Sequence, residues 1–186
     1  KEEEVYDFVG LGVLFALLAL FGALTVWALR ARRLWVKLLG GIPAGLLTLV
    51  LGAAIVGAFV GYSRVNASYS ESHPVASLTA DTSPAMIAQG EKFARTCAGC
   101  HSSNGQLPLT GQNFGEGGPP IGTLYAPSLT PAHLKDWSDG EIIRAIREGV
   151  GRDGRSLIIM PSKAFRNLSD EDAQALVAYL RSQPAD

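Results

Sequence analysis

Cysteine is nearly absent from this 186-residue chain: Cys97 and Cys100 are the only two. One pair cannot build the several-bridge framework on which small disulfide-rich domains depend. Excess charge of either sign is missing too, with 16 Lys and Arg against 17 Asp and Glu. That balance excludes the basic footprint of a nucleic-acid binder. No phosphate-cradling loop and no paired acid/base constellation occurs, so nothing points to catalysis of bond chemistry. Alternating apolar and polar runs, the mark of half-buried strands, are almost lacking, and the fold class expected is all-α. Charge is also missing locally: none occurs from Val9 to Leu29 and none from Leu38 to Tyr62.

Uncharged apolar stretches of that length are long enough to cross a bilayer as helices. Residues 1–62 are therefore expected to form a transmembrane hairpin, with spans at about 9–29 and 38–62. The connector carries Arg30, Arg32, Arg33 and Lys37 without an acid, whereas Glu2, Glu3, Glu4 and Asp7 precede the first span. Short Lys/Arg-rich loops stay cytoplasmic, so the N-terminus and everything after Tyr62 are expected outside. A signal peptide would begin basic and have a shorter apolar core. The second span is rich in glycine, with Gly41/Gly45 and Gly57/Gly61 at the G-x-x-x-G spacing that lets helix backbones approach. Packing within the hairpin and docking onto other membrane subunits are both compatible with it.

Both cysteines are spent in one pentapeptide, Cys97-Ala98-Gly99-Cys100-His101. C-x-x-C followed by histidine is the attachment signature of a c-type haem. Two thiols about one helical turn apart can both reach the vinyl groups on one porphyrin edge, and the next residue brings an imidazole under the iron. A zinc site would need further ligands, and only His73 and His133 are at hand. A thioredoxin-like dithiol would need a βαβ setting, whereas a helical pattern precedes Cys97.

Residues 63–83, rich in Ser, Ala, Asn and Thr, read as a linker, either a tether or an extended surface segment. Residues 84–186 are the size of one compact domain. Three helices are expected there. The first runs from about Pro84 to Thr96 and delivers the pentapeptide. The second runs from Ser138 to Glu148, with Ser138 and Glu141 as a capping box and Gly149 as its stop. The third runs from Ser169 to Ser182, with acids in its first turn. The loops between them are long, and a haem would supply the missing apolar centre.

Taken in order, these elements resemble the class I cytochrome c family. A helix with Gly90 and Phe93 leads into Cys97-Ala98-Gly99-Cys100-His101, a middle helix follows, then Met160-Pro161, then a last helix carrying Tyr179. The loop from Gly151 to Arg155 ahead of Met160-Pro161 looks like the membrane-anchored cytochrome subunits of bacterial respiratory and dehydrogenase complexes, alternative complex III among them. The resemblance implies one covalent haem c and its iron, held by Cys97 and Cys100, with His101 and Met160 as axial ligands. Met86 is a rival for the methionine role and His133 for a bis-histidine site. The family's proline carbonyl, which accepts from the proximal imidazole, would be Pro127, with Pro119 and Pro120 competing. Trp137, Arg155 and Tyr125 are candidates for the haem propionates. The first and last helices would cross where Gly90 and Phe93 meet Tyr179.

The expected role is one-electron transfer on the outer face of a bacterial cytoplasmic membrane, as a subunit of a larger complex. Partners would be other membrane subunits, a redox protein at the haem edge and the lipid bilayer, with no nucleic acid. A freestanding tethered shuttle and a haem sensor or peroxidase are the rival classes. Arg152, Arg155, Lys163 and Arg166 flank Met160 and could meet an acidic partner or serve the propionates.

Overall fold

The computed structural model describes residues 2–115 and 124–185, which divide into two compact units, Lys1–Asn66 and Ala67–Asp186. In the first unit, α1 (Glu2–Arg30) is followed by a short α2 (Leu34–Val36). A π-helical turn over Lys37–Gly41 carries α2 into α3 (Ile42–Asn66). The two long helices are apolar enough to cross a membrane, and their large side chains point outward, with Leu49 71% and Phe59 73% exposed. An apolar exterior suits lipid rather than water.

Small residues hold the hairpin together. A Cβ on Gly41 would lie 3.4 Å from Ala28 Cβ, and one on Gly45 would lie 3.6 Å from Thr25 Cγ2. Thr25 and Thr48 satisfy their hydroxyls on the carbonyls of Phe21 and Ala44, at 2.7 and 2.8 Å. Gly41/Gly45 thus serves the packing of α1 on α3. A Cβ added to Gly52, Gly57 or Gly61 would meet nothing within 4 Å.

In the second unit α4 (Pro84–His101) begins at Pro84 behind Ser83 and continues through the pentapeptide, five residues beyond the expected end at Thr96. Nothing between Thr96 and His101 breaks a helix, so both cysteines and the histidine are carried on its last turns. A two-residue antiparallel ladder follows, β1 (Gln112–Asn113) with β2 (Tyr125–Ala126). Then come α5 (Pro131–Leu134), α6 (Asp139–Glu148), a 3₁₀ turn at Ser162–Ala164 and α7 (Asp170–Ser182). The capping box of α6 is complete, since Ser138 accepts from the Glu141 N–H and Glu141 accepts from the Ser138 N–H. Gly149 ends α6 at φ 66°, a left-handed conformation that suits glycine. Ser169 caps α7 through the Asp172 N–H.

The core lies where α4 crosses α7, with α6 closing one side: Ala94, Ala98, Leu109, Ile142, Ile143, Leu176, Val177 and Leu180 are all buried. Gly90 makes the crossing possible, because a methyl there would fall 1.8 Å from Ala175 O and 2.9 Å from Tyr179 Cβ. The helices touch backbone to backbone.

Residues 67–83 are an extended surface segment laid along this unit. Tyr69 N–H donates to Gly154 O (2.8 Å), Ala80 N–H to Asp139 Oδ2 (2.9 Å), and Gln174 Nε2 to Thr79 O (2.9 Å). Leu78 and Ala80 pack on the core. Gly140 admits the strap, since a Cβ there would meet Ala76 O at 2.1 Å.

Candidate functional site

The last turns of α4 bring Cys97, Cys100 and His101 together, with Cys97 half-buried, Cys100 exposed and both thiols free. Ala98 between them is buried in the core and Cys97 packs against that core, while Cys100 lies on the exposed side of the helix. Burial, reinforced by the neighbouring Cys100, pushes the Cys97 thiol up to about 11.

His101 is oriented from behind. Its Nδ1 lies 2.8 Å from Pro127 O, and in the tautomer that donates there, Nε2 keeps its lone pair. The path of the chain explains this contact. Gly111 N–H donates to His101 O (2.7 Å), the β1–β2 ladder pairs Gln112 with Ala126, and Leu129 N–H donates to Leu109 O (2.8 Å). The segment holding Pro127 is thereby stitched beside the end of α4. Gly111 permits the close approach: its φ is 92°, and a Cβ would sit 2.9 Å from Ser128 N. Desolvation lowers the His101 pKa, the Pro127 carbonyl opposing, so the imidazole is neutral near pH 7 and able to ligate. Pro119 and Pro120 lie outside the described residues.

Met160 is half-buried against the core, on a loop pinned at both ends. Upstream, Leu157 N–H donates to Gly149 O at 2.7 Å. Downstream, the buried Ser162 donates through Oγ to Ala145 O at 3.2 Å, while its N–H bonds Met160 O at 2.8 Å. Met86 sits in the first turn of α4, about 22 Å along the helix axis from His101, too far to share a metal with it. His133 is exposed on α5. Trp137 is half-buried and its carbonyl accepts from Arg181, which also binds Leu134 O (2.7 Å) and Asp139. Arg155 is exposed, with its guanidinium on Asp153, and Tyr125 is 62% exposed on β2. Of the basic residues around Met160, Arg166 approaches Glu148 at 3.9 Å.

Two features escaped sequence reasoning, and a third was only half read. Gln183 is buried and bridges two loops, accepting from Leu109 N–H (2.8 Å) and donating to Leu129 O (3.1 Å). Arg144 is buried, makes no salt bridge among the described residues, and donates to Gly151 O (2.7 Å), with longer contacts to His73 O and Arg152 O. It joins the strap to the loop that leads to Met160. The third is the strap itself. An extended surface segment was one of the two readings of residues 63–83, and Gly140 and Gly154, whose Cβ positions are taken by strap atoms, mark where it lies.

The donor set fits a covalently held haem. Two free thiols one turn apart, a neutral imidazole with one nitrogen engaged and one unengaged, and a thioether on a fixed loop are the groups such a centre uses. Among the described residues no group of three or more His, Cys, Asp or Glu gathers as a metal set, so the cysteines have no zinc partners there.

Comparison with known proteins agrees. A family model described as cytochrome c matches residues 87–184. The chain is 41% identical over 107 residues to a nicotinate dehydrogenase subunit of Pseudomonas putida, covering 54% of this chain and 9% of that one. It is 38% identical over 104 residues to the gluconate 2-dehydrogenase cytochrome c subunit of Pantoea cypripedii, covering 51% and 22%. To the cytochrome c subunit of the quinone-dependent alcohol dehydrogenase of Gluconacetobacter polyoxogenes it is 34% identical over 110 residues, covering 54% and 22%. The chain thus spans between 9% and 22% of the length of these relatives.

Proposed function

This chain belongs to the cytochrome c family, and from that premise we propose that it is a membrane-anchored carrier of single electrons holding one haem c. One cysteine pair in the chain supports one haem. The observation that carries the reading is His101 at the end of α4, its Nδ1 on Pro127 O and its other nitrogen unengaged, directly after the two thiols. A haem bound there supplies the one-electron chemistry that protein side chains lack. The residues around it have defined tasks. Cys97 and Cys100 would hold the porphyrin through two thioether bonds. The Pro127 carbonyl selects the His101 tautomer and sets its ring angle. The bonds of Leu157 and Ser162 pin the loop that carries Met160, whose thioether would be the second ligand to the iron. Held by both His101 and Met160, the iron would serve electron transfer rather than substrate binding, and a thioether ligand would raise its potential relative to two histidines.

The role extends to a complex. The relatives are named as subunits of dehydrogenases, which favours a place as the electron-transfer subunit of a membrane oxidoreductase. The two apolar helices and the basic connector between them support a haem domain on the outer face of a bacterial inner membrane. Gly57 and Gly61, open along α3, leave room for another subunit's helix.

The test is Met160→Ala in the haem-loaded full chain. We expect loss of the low-spin thioether signature and a lower reduction potential; an unchanged spectrum and potential would remove Met160 from the site. Solubilisation in mild detergent then separates the two settings, since co-migration with larger subunits supports the complex and a lone small protein supports the shuttle.

A further inference from the structure

The basic connector and the groove beside it form a composite surface that electron transfer does not use. Phe21, Leu24, Trp27 and Ala28 of α1 face Gly40, Pro43, Ala44 and Leu47 across an open groove of about 250 Å³. Its lining contains no charged side chain. Gly40 lines it without a side chain, a Cβ there lying 3.8 Å from Ala28 Cβ, and Ala28 and Ala44 are buried beside it. Trp27, 66% exposed, forms part of the wall, and Trp35, 58% exposed, lies on the short α2 beyond. Indole rings of that kind favour the headgroup level of a bilayer.

Trp27 and Gly40 of the groove's lining stand three residues from Arg30 and from Lys37, the two ends of the connector that also bears Arg32 and Arg33. The three arginines are exposed, and among the described residues none of the four cations has an acidic partner. An apolar trough opening onto four unneutralised cations is complementary to one kind of molecule, an amphiphile with an anionic head. We propose that this is a binding site for an acidic phospholipid, one acyl chain lying between α1 and the start of α3 and the phosphate held by the connector's guanidinium groups. A quinone would leave the cations unused, because its head is neutral. A partner helix would have to bring acids to the same place. Arginine suits the phosphate, offering forked donors at a planar group. The site rests on the reading of α1 and α3 as membrane spans.

Native mass spectrometry of the full haem-loaded chain, released from detergent with equimolar dioleoyl phosphatidylglycerol and dioleoyl phosphatidylcholine, tests it. We expect retained adducts to be dominated by the acidic lipid. The double variant Arg32→Gln/Arg33→Gln should reduce that preference about 25-fold, as each of the two cations near an acidic headgroup contributes about fivefold. Gly40→Leu, which fills the trough, should lower the occupancy of both lipids while leaving the haem spectrum unchanged. Equal occupancy by the two lipids in the parent chain would overturn the proposal, and so would a preference surviving in the double variant. An alkaline carbonate wash distinguishes the deeper failure. Release of the chain from vesicles removes the span reading and the site with it, whereas a retained chain with equal occupancy removes the site alone.

Discussion

Gly90→Ala adds a single methyl group at the crossing of α4 and α7, and the structure leaves no space for it. The new carbon would lie 1.8 Å from Ala175 O, 2.5 Å from Ala175 C and 2.9 Å from Tyr179 Cβ. Two of these atoms are backbone, so no rotamer change relieves the overlap, and the helices must separate by roughly 1.5 Å. Extra methylenes in a packed core cost about 1–3 kcal/mol, and a rigid backbone contact lies at the upper end. Alanine's better helix propensity returns up to about 1 kcal/mol. A net loss of about 2–3 kcal/mol lowers the melting temperature of a unit this size by roughly 8–15 °C. The loss should reach the site, because the end of α4 carries Cys97, Cys100 and His101 while α7 carries the Leu176 to Leu180 face of the core. The assay is thermal unfolding of the haem-loaded chain in detergent, followed by far-UV dichroism and by the haem absorbance. Gly140→Ala is the comparator: its methyl would meet Ala76 O at 2.1 Å, but that carbonyl belongs to a surface strap that can lift away. Its melting temperature should fall less, and proteolytic cleavage within residues 67–83 should rise. A Gly90→Ala chain melting within about 2 °C of the parent would refute the close crossing.

Ser138→Ala removes the side-chain half of the α6 capping box and should cost about 1 kcal/mol in denaturant unfolding, with most of the loss restored by aspartate. Gln183→Leu orphans Leu109 N–H and Leu129 O in the interior, and about 1–3 kcal/mol for each lost partner should appear as a lower denaturation midpoint. Stability should also fall in acid. Burial pushes the Glu141 carboxyl up, but the Ser138 backbone N–H and hydroxyl, with Arg152 and Arg144, outweigh it and hold it below its ordinary 4.5. The Arg155 N–H and guanidinium hold Asp153 below 3.8. A depressed carboxylate stabilises the fold above its unfolded pKa and loses that contribution as pH falls through the folded value. Denaturation midpoints should therefore decline below about pH 4.5, and less steeply in Glu141→Gln; a flat profile would contradict the assignment.

Much of the architecture was legible because it depends on local pattern. Two uncharged stretches give long apolar helices wherever they are placed, and Ser138 with Glu141, Gly149 and Ser169 act within a few residues of themselves, so caps and stops were readable one at a time. The expected end of α4 falls five residues short, since the pentapeptide reads as a motif following a helix when its residues are helical themselves. The choice of proline was not legible. Local pattern does not rank Pro119, Pro120 and Pro127, and the place of Pro127 is set by the Gln112–Ala126 pairing and the close approach at Gly111. The strap was half legible, its composition being compatible with a free tether as well as with a bound segment. Its bonds to Gly154, Asp139 and Gln174 join residues at least 59 positions apart, beyond the reach of any local signal.

The sequence by itself determined the chemistry and the gross layout of this protein. Spacing alone puts two thiols and an imidazole on one turn, and an absence of charge alone makes a helix that water does not tolerate. Tertiary structure decided everything that needed two distant segments at once. It brought the Pro127 carbonyl behind His101, pinned the Met160 loop on α6, buried Arg144 between strap and loop, and separated the glycines that close the hairpin from those left open. The physical reason is one of range. Covalent spacing and helix periodicity act over a few residues, whereas hydrogen-bond partners and backbone clearances exist only after the chain has folded back on itself.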